Sequence, residues 1–171
     1  HIDWMAERIV PRTEGKQLFL LFNKIDKLSE EERAVLDGMF ADIDAKGFFV
    51  ETLVLNAADQ GLGQKIFENP ITDFMKVINT NVVWNYCLSE HAAKRMKENG
   101  GGNIVFVNSN TAYRAIPDRI AYSASKSGQL GMMRAMALDL GKYNIRVNCL
   151  QPGSVPVLLR YLNLQRGTDF P

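Results

Sequence analysis

Apolar positions along the chain form short continuous runs that alternate with helix-spaced stripes, separated by polar and glycine-containing breaks. Residues 17–22 (QLFLLF) make the first run, as a strand buried on both faces would. Ser29-Glu30-Glu31-Glu32 has the form of a capping box, and Val35, Met39 and Ile43 follow at helical spacing up to Gly47. A second apolar strand covers 52–55 and ends at Asn56-Ala57-Ala58. Ile71, Phe74, Met75, Ile78 and Val82 then mark the apolar stripe of a long helix reaching about Lys97, where Gly100-Gly101-Gly102 breaks the chain. Residues 104–107 are the next strand, a loop containing Pro117 leads to a helix over 121–143, and 145–150 is the last clear strand, closed by Gln151-Pro152-Gly153. Strands that alternate with helices predict an α/β architecture on a mainly parallel sheet.

Composition narrows the picture without changing it. The chain has 171 residues, 46% hydrophobic and 23% charged, with net charge +1. That suits one globular core, the whole of 1–171 being read as a single domain, and gives no electrostatic reason to expect nucleic acid or an anionic membrane as partner. The apolar runs fall far short of the roughly 20 residues a membrane span needs. Cys87 and Cys149 stand apart without a C-x-x-C pattern, and are read as buried free thiols in a reducing compartment. His1 and His91 are isolated, so neither is given a role and no metal site is expected. The opening His1-Ile2-Asp3-Trp4 lacks a secretory pattern, which points to a cytoplasmic location. The chain does not begin with methionine, which suits a processed product or part of something longer.

The candidate chemistry centres on Tyr122-Ser123-Ala124-Ser125-Lys126, with Ser109 thirteen positions before the tyrosine. Tyrosine and lysine four apart on a helix project from one face. A free phenol ionises near pH 10 and is a poor acid–base group at neutrality, but a fixed ammonium nearby favours the phenolate. A serine hydroxyl from another element can hold the oxygen of a carbonyl or alcohol against that phenol. Alone, Y-x-x-x-K is common and reads as a solvated helix face. Its neighbourhood changes this. Asn56, Ser109 and Pro152-Gly153 all fall at carboxyl ends of predicted strands, the edge where open parallel sheets bind ligands.

In order and spacing, Asn56-Ala57-Ala58, Asn81, Ser109, Tyr122/Lys126 and Pro152-Gly153 resemble the short-chain dehydrogenase/reductase family. Gly102-Asn103-Ile104-Val105 and Ile145-Arg146-Val147-Asn148 also resemble that family's fifth and sixth strands. The resemblance implies a Rossmann-like, doubly wound α/β/α fold, present in part, and an oxidoreductase acting on a small alcohol or carbonyl compound with NAD or NADP. It implies Tyr122 as general acid or base, Lys126 tuning it and holding the nicotinamide ribose, Ser109 orienting the substrate oxygen, and Asn81 anchoring a water. Asn56, Ala57 and Ala58 would line the adenosine-ribose side, Asp26 the adenine, and Pro152 and Gly153 the nicotinamide. Each also has a plain structural reading, Asn81 as the cap of a helix kink and Asn56 and Asn108 as loop anchors. Tyr113 and Arg114, in the loop after Ser109, read better as solvated than as substrate contacts. The helices over 71–97 and 121–143 would pair with their copies in a homodimer or homotetramer.

The departures from the pattern are specific. The family's T-G-x-x-x-G-x-G turn is absent, Ala58 replaces a glycine, and Pro156 and Val157 stand where a threonine is usual. Residues 17–22 either correspond to the family's third strand, with two strands missing between them and 52–55, or take the place of its first. Asp26 and the capping box favour the former and a fragment; Gly15-Lys16 favours the latter. A non-enzymatic member that has lost cofactor binding is the alternative function. Asn23-Lys24-Ile25-Asp26 spells a guanine-reading motif, but no phosphate loop accompanies it and it is taken as coincidence.

Overall fold

The computed structural model describes residues 19–21 and 30–153. In chain order these are β1 (Phe19–Leu21), α1 (Glu30–Ala45), β2 (Thr52–Leu55), α2 (Ile71–Ile78), a π-helical stretch (Asn79–Val83), α3 (Trp84–Glu98), β3 (Gly102–Val107), a 3-10 turn (Asn110–Ala112), α4 (Ile120–Leu140), a second 3-10 turn (Gly141–Tyr143) and β4 (Ile145–Leu150). The four strands form one parallel sheet in the order β1-β2-β3-β4.

β1 pairs directly with β2, Phe19 opposite Thr52. The described part of that run, residues 19–21, therefore lies directly beside β2, the sheet position that the second of the two placements gives it. The physical reason is backbone pairing: among the described residues no strand lies between them, and the facing amide and carbonyl groups of β1 and β2 pair with each other. The Ser29 end of the capping box, Asp26 and the Asn23–Asp26 motif lie outside the described residues.

Alternation along the strands gives the sheet one buried face. Leu53, Leu55, Ile104, Phe106, Ile145 and Val147 are buried, while Thr52, Val54, Val105 and Asn148 between them are not. Leu36, Met39, Phe40 and Ile43 of α1 and Trp84, Cys87, Leu88, Ala92 and Met96 of α3 pack on that face, and Met132, Met133 and Met136 of α4 close it. His91, isolated in the sequence, ties two of these helices. Its Nε2 meets Asp37 of α1 at 2.8 Å, and its ring stacks on Phe40.

The long central helix departs from its predicted stripe. Ile71 and Met75 are exposed and Phe74, Ile78 and Val82 only half-buried, whereas Val77, Thr80, Asn81, Trp84, Asn85 and Leu88 face inward. Polar side chains occupy the core side because each of Asn81, Asn85 and Ser89 finds a hydrogen-bond partner there. Between α2 and α3 the chain widens into the π-helical stretch, with Asn81 at its centre. Such inserted turns are rare and recur at functional sites.

Candidate active site

Because every strand runs the same way, Leu55, Val107 and Leu150 end at one edge of the sheet. Asn56-Ala57-Ala58, Asn108-Ser109 and Gln151-Pro152-Gly153 therefore leave from that edge. Two backbone bonds fasten the last two loops: Asn108 N–H donates to the Leu150 carbonyl at 2.8 Å, and Asn110 N–H to the Pro152 carbonyl at 3.1 Å. Ser109 is extended and half-buried, and its hydroxyl accepts from the Thr111 N–H at 3.2 Å and donates to Thr111 Oγ1 at 3.0 Å. Ser127 of α4 donates to the Ala112 carbonyl at 2.9 Å, pinning the same loop to the helix.

The first turns of α4 carry Tyr122 and Lys126. Lys126 is buried, and its Nζ donates to the Val107 carbonyl at 2.9 Å. Its own carbonyl accepts from Asn108 Nδ2 at 2.8 Å, so the residue is held at both ends. The ammonium stands 5.6 Å from the centroid of the half-buried Tyr122 ring. Burial pulls the Lys126 ammonium below its ordinary value, to about 8, because the charged form is poorly solvated there.

Asn81 is fully buried and joins three segments. Its Oδ1 accepts from the Asp59 N–H at 2.8 Å, and its Nδ2 donates to the Asp59 carbonyl at 2.9 Å and to Ser125 Oγ at 2.8 Å. Ser125 in turn donates to the Tyr122 carbonyl at 2.8 Å. The Asn81 carbonyl accepts from Asn85 Nδ2 and from Gln129 Nε2, and Gln129 Oε1 accepts from Asn108 Nδ2 at 3.1 Å. A continuous polar network thus runs from the loop after β2, through Asn81, to the helix that carries Tyr122 and Lys126, and on to Asn108 beside Ser109.

Of the residues singled out from the sequence, Ser109, Tyr122, Lys126 and Asn81 are joined by this network, and Pro152 and Gly153 are tied to it through Asn110. Asn56, Ala57 and Ala58 share the sheet edge and lead into Asp59. Asp26 lies outside the described residues. Tyr113 and Arg114 are exposed. Sequence reasoning passed over Ser125, Gln129 and Asp59. The first two left a signal: polar residues four apart within an Ala-, Met- and Leu-rich helix, on the side of Lys126.

Comparison with known proteins addresses the family and the fold. A family model described as "short chain dehydrogenase" matches residues 24–160. The 7alpha-hydroxysteroid dehydrogenase of Escherichia coli (strain K12) is 39% identical over 106 residues, covering 62% of this chain and 41% of that protein. Dehydrogenase/reductase SDR family member 4 of Sus scrofa is 33% identical over 150 residues, covering 88% of this chain and 53% of that protein. Among solved structures, a 7 alpha-hydroxysteroid dehydrogenase complexed with NADH and 7-oxo glycochenodeoxycholic acid superposes with a TM-score of 0.64 at 37% identity, over 73% of this chain and 47% of that one. The chain spans about half the length of the relatives it matches.

Proposed function

The chain belongs to the short-chain dehydrogenase family, and from that premise we propose that it transfers a hydride between NAD or NADP and a small alcohol or carbonyl compound. The observation that carries this reading is the fixed pair on α4: Tyr122 with the buried Lys126 ammonium 5.6 Å from its ring, beside the loop that presents Ser109. In reduction Tyr122 gives its phenolic proton to the substrate oxygen, and in oxidation it takes that proton back. The Lys126 ammonium beside the ring is the fixed charge that accompanies the transfer in either direction. The Ser109 hydroxyl, exchanging its bond to Thr111 for one to the substrate oxygen, orients that oxygen toward Tyr122. Asn81 acts by position, holding Ser125 and the Asp59 loop against α4.

A bound nicotinamide supplies the hydride. The residues fit such a group at its nicotinamide end. Lys126 has three N–H donors and spends one on Val107, which leaves donors for ribose hydroxyls, and Pro152 and Gly153 border the same edge. Asn56, Ala57 and Ala58 fit the adenosine-ribose side from the end of β2. Residues 22–29, between β1 and α1, contain no glycine, so that segment offers no pyrophosphate turn of the usual kind. This one feature favours a second reading, a family member kept as a binding or scaffold subunit. Thermal shift with NAD and NADP separates the two, since a ligand of the folded state alone must raise stability. The direct test is nicotinamide absorbance during turnover with a panel of alcohols and carbonyl compounds: activity that Tyr122→Phe abolishes supports the enzyme, and a full-length protein that neither binds nor turns over nicotinamide removes it.

We read 1–171 as one partial domain that assembles as a homodimer or homotetramer through the faces of 71–97 and 121–143. A shallow cavity of about 260 Å³ between α3 and α4, lined by Tyr86, Glu90, Lys94, Met136, Leu140 and Tyr143, supports the surface chosen. No helix among the described residues is long and apolar enough to cross a membrane, which suits the cytoplasmic location proposed.

A further inference from the structure

The segment between β2 and α2 meets the loop before α4 at a junction that the proton-transfer chemistry leaves unused. A short parallel bridge pairs Gln64 with Arg119, and the Gln64 N–H donates to the Asp118 carbonyl at 2.9 Å. The Arg119 guanidinium reaches back to Gln60, donating to its carbonyl at 3.4 Å and its side-chain Oε1 at 3.3 Å. Gln64 is buried, and its Nε2 donates to the Asp73 carbonyl at 3.2 Å.

The backbone on both sides of the junction is shaped to make it. Asp118 has φ 56°, a left-handed conformation that residues with a side chain adopt rarely, aspartate among the few that do. Gly61 has φ 53°, and a Cβ there would meet Gln64 Oε1 at 2.9 Å and Val77 Cγ2 at 3.1 Å. Glycine takes both the angle and the approach without strain, where a larger residue would have to push the Gln64 and Val77 side chains aside. Two constrained backbone positions therefore meet where the loop that begins with Asn56-Ala57-Ala58 touches the loop that introduces Tyr122.

Arg119 lies three residues before Tyr122, and its guanidinium carbon stands 5.9 Å from the ring centroid, within the ~6 Å reach of a cation–π contact. The Arg119 carbonyl accepts the Ser123 N–H at 2.9 Å, so the residue is built into the first turn of α4. We propose that Arg119 is a positioning residue, latching the loop after β2 onto the start of α4 and holding the Tyr122 ring in one orientation. Lys126 is then the second cation on that ring, and the latch couples the proposed nucleotide side of the site to the proposed acid. The consequence for turnover rests on the proton-transfer reading of Tyr122; the latch itself does not.

Two kinds of readout test it in the whole protein. Near-ultraviolet dichroism of the parent minus that of Tyr122→Phe isolates the signal of the Tyr122 ring, and hydrogen exchange reports the Gln64 amide; neither needs activity. Arg119→Ala is expected to erase most of the ring signal and to speed exchange at Gln64, whereas Arg119→Lys, which keeps a cation, retains most of the ring signal. Gln60→Ala, the milder variant, shifts both readouts in the same direction and decides the matter where Arg119→Ala does not fold. In turnover, Arg119→Ala lowers kcat by between about tenfold and a hundredfold and raises KM for the nicotinamide by a smaller factor. Unchanged ring signal and exchange in Arg119→Ala overturn the latch. An inactive parent with the expected spectroscopic changes overturns the proposed function and leaves the latch standing.

Discussion

Replacing Lys126 by methionine isolates the energetic cost of the buried ammonium. In the folded chain burial draws this lysine from its ordinary 10.5 down to about 8. At about 1.4 kcal/mol for each tenfold in proton affinity, the gap corresponds to about 3 kcal/mol. The sign follows from proton counting. Below about pH 8 both folded and unfolded chains carry the charge, and the folded state bears the whole penalty of burying it. Between about 8 and 10.5 the unfolded chain keeps a proton that the folded chain has released, so stability rises with pH across that window. Above it both forms are neutral and the penalty is gone. Methionine fills similar volume without a charge, and the other titrating groups are common to both proteins. Urea unfolding of the parent and Lys126→Met through this range should therefore show their stability difference moving by about 3 kcal/mol in favour of the parent as pH rises. A difference flat to within about 1 kcal/mol would refute the buried-charge account of this site. The cost is retained because the charged form, which holds below about pH 8, is the one that the proposed proton transfer at Tyr122 uses.

Ser109→Ala should cut kcat by at least about 100-fold while costing no more than about 1 kcal/mol of stability, because the hydroxyl also accepts the Thr111 N–H; steady-state kinetics beside denaturant unfolding reads both. A kcat loss that merely tracks unfolding would place Ser109 in the structure alone. Asn81→Ala strips partners from the Asp59 N–H, the Asp59 carbonyl and Ser125, and is expected to destabilise by about 2–4 kcal/mol in urea unfolding; a loss under about 1 kcal/mol would mean that the three contacts are replaceable. Gly101→Ala should cost about 1–3 kcal/mol or more, since Gly101 has φ 134° and a Cβ there would collide with the Asn144 carbonyl; a thermal midpoint equal to the parent's would contradict the tight turn into β3.

What could be read in the chain and what could not divide along physical lines. The strand runs were legible as short continuous apolar stretches between polar and glycine breaks, although burial favours one face of each, with Leu53, Leu55, Ile104, Phe106, Ile145 and Val147 inside and Val54 and Val105 only half-buried. Helix α1 was legible too, Met39 and Ile43 being buried where helical spacing placed them. The central helix was misread because polar residues interrupt its inner face at Thr80, Asn81 and Asn85, and Ile71 and Met75 gave a stripe on the wrong side. Periodicity of hydrophobic residues cannot see a face on which Thr80, Asn81 and Asn85 are buried, and the π-helical stretch there shifts the register besides. Local rules are broken at this helix and kept elsewhere, which is the pattern expected where a fold carries function. One of the buried side chains that defeat the stripe, Asn81, fastens the loop after β2 to α4, and its carbonyl holds Gln129, which with Lys126 receives Asn108 beside Ser109. A purely apolar face at 80–85 would stabilise the helix and let those three segments drift relative to one another. The polar face instead fixes Tyr122 and Lys126 against the strand ends, where a misplacement of about 1 Å is enough to cost a hundredfold in rate.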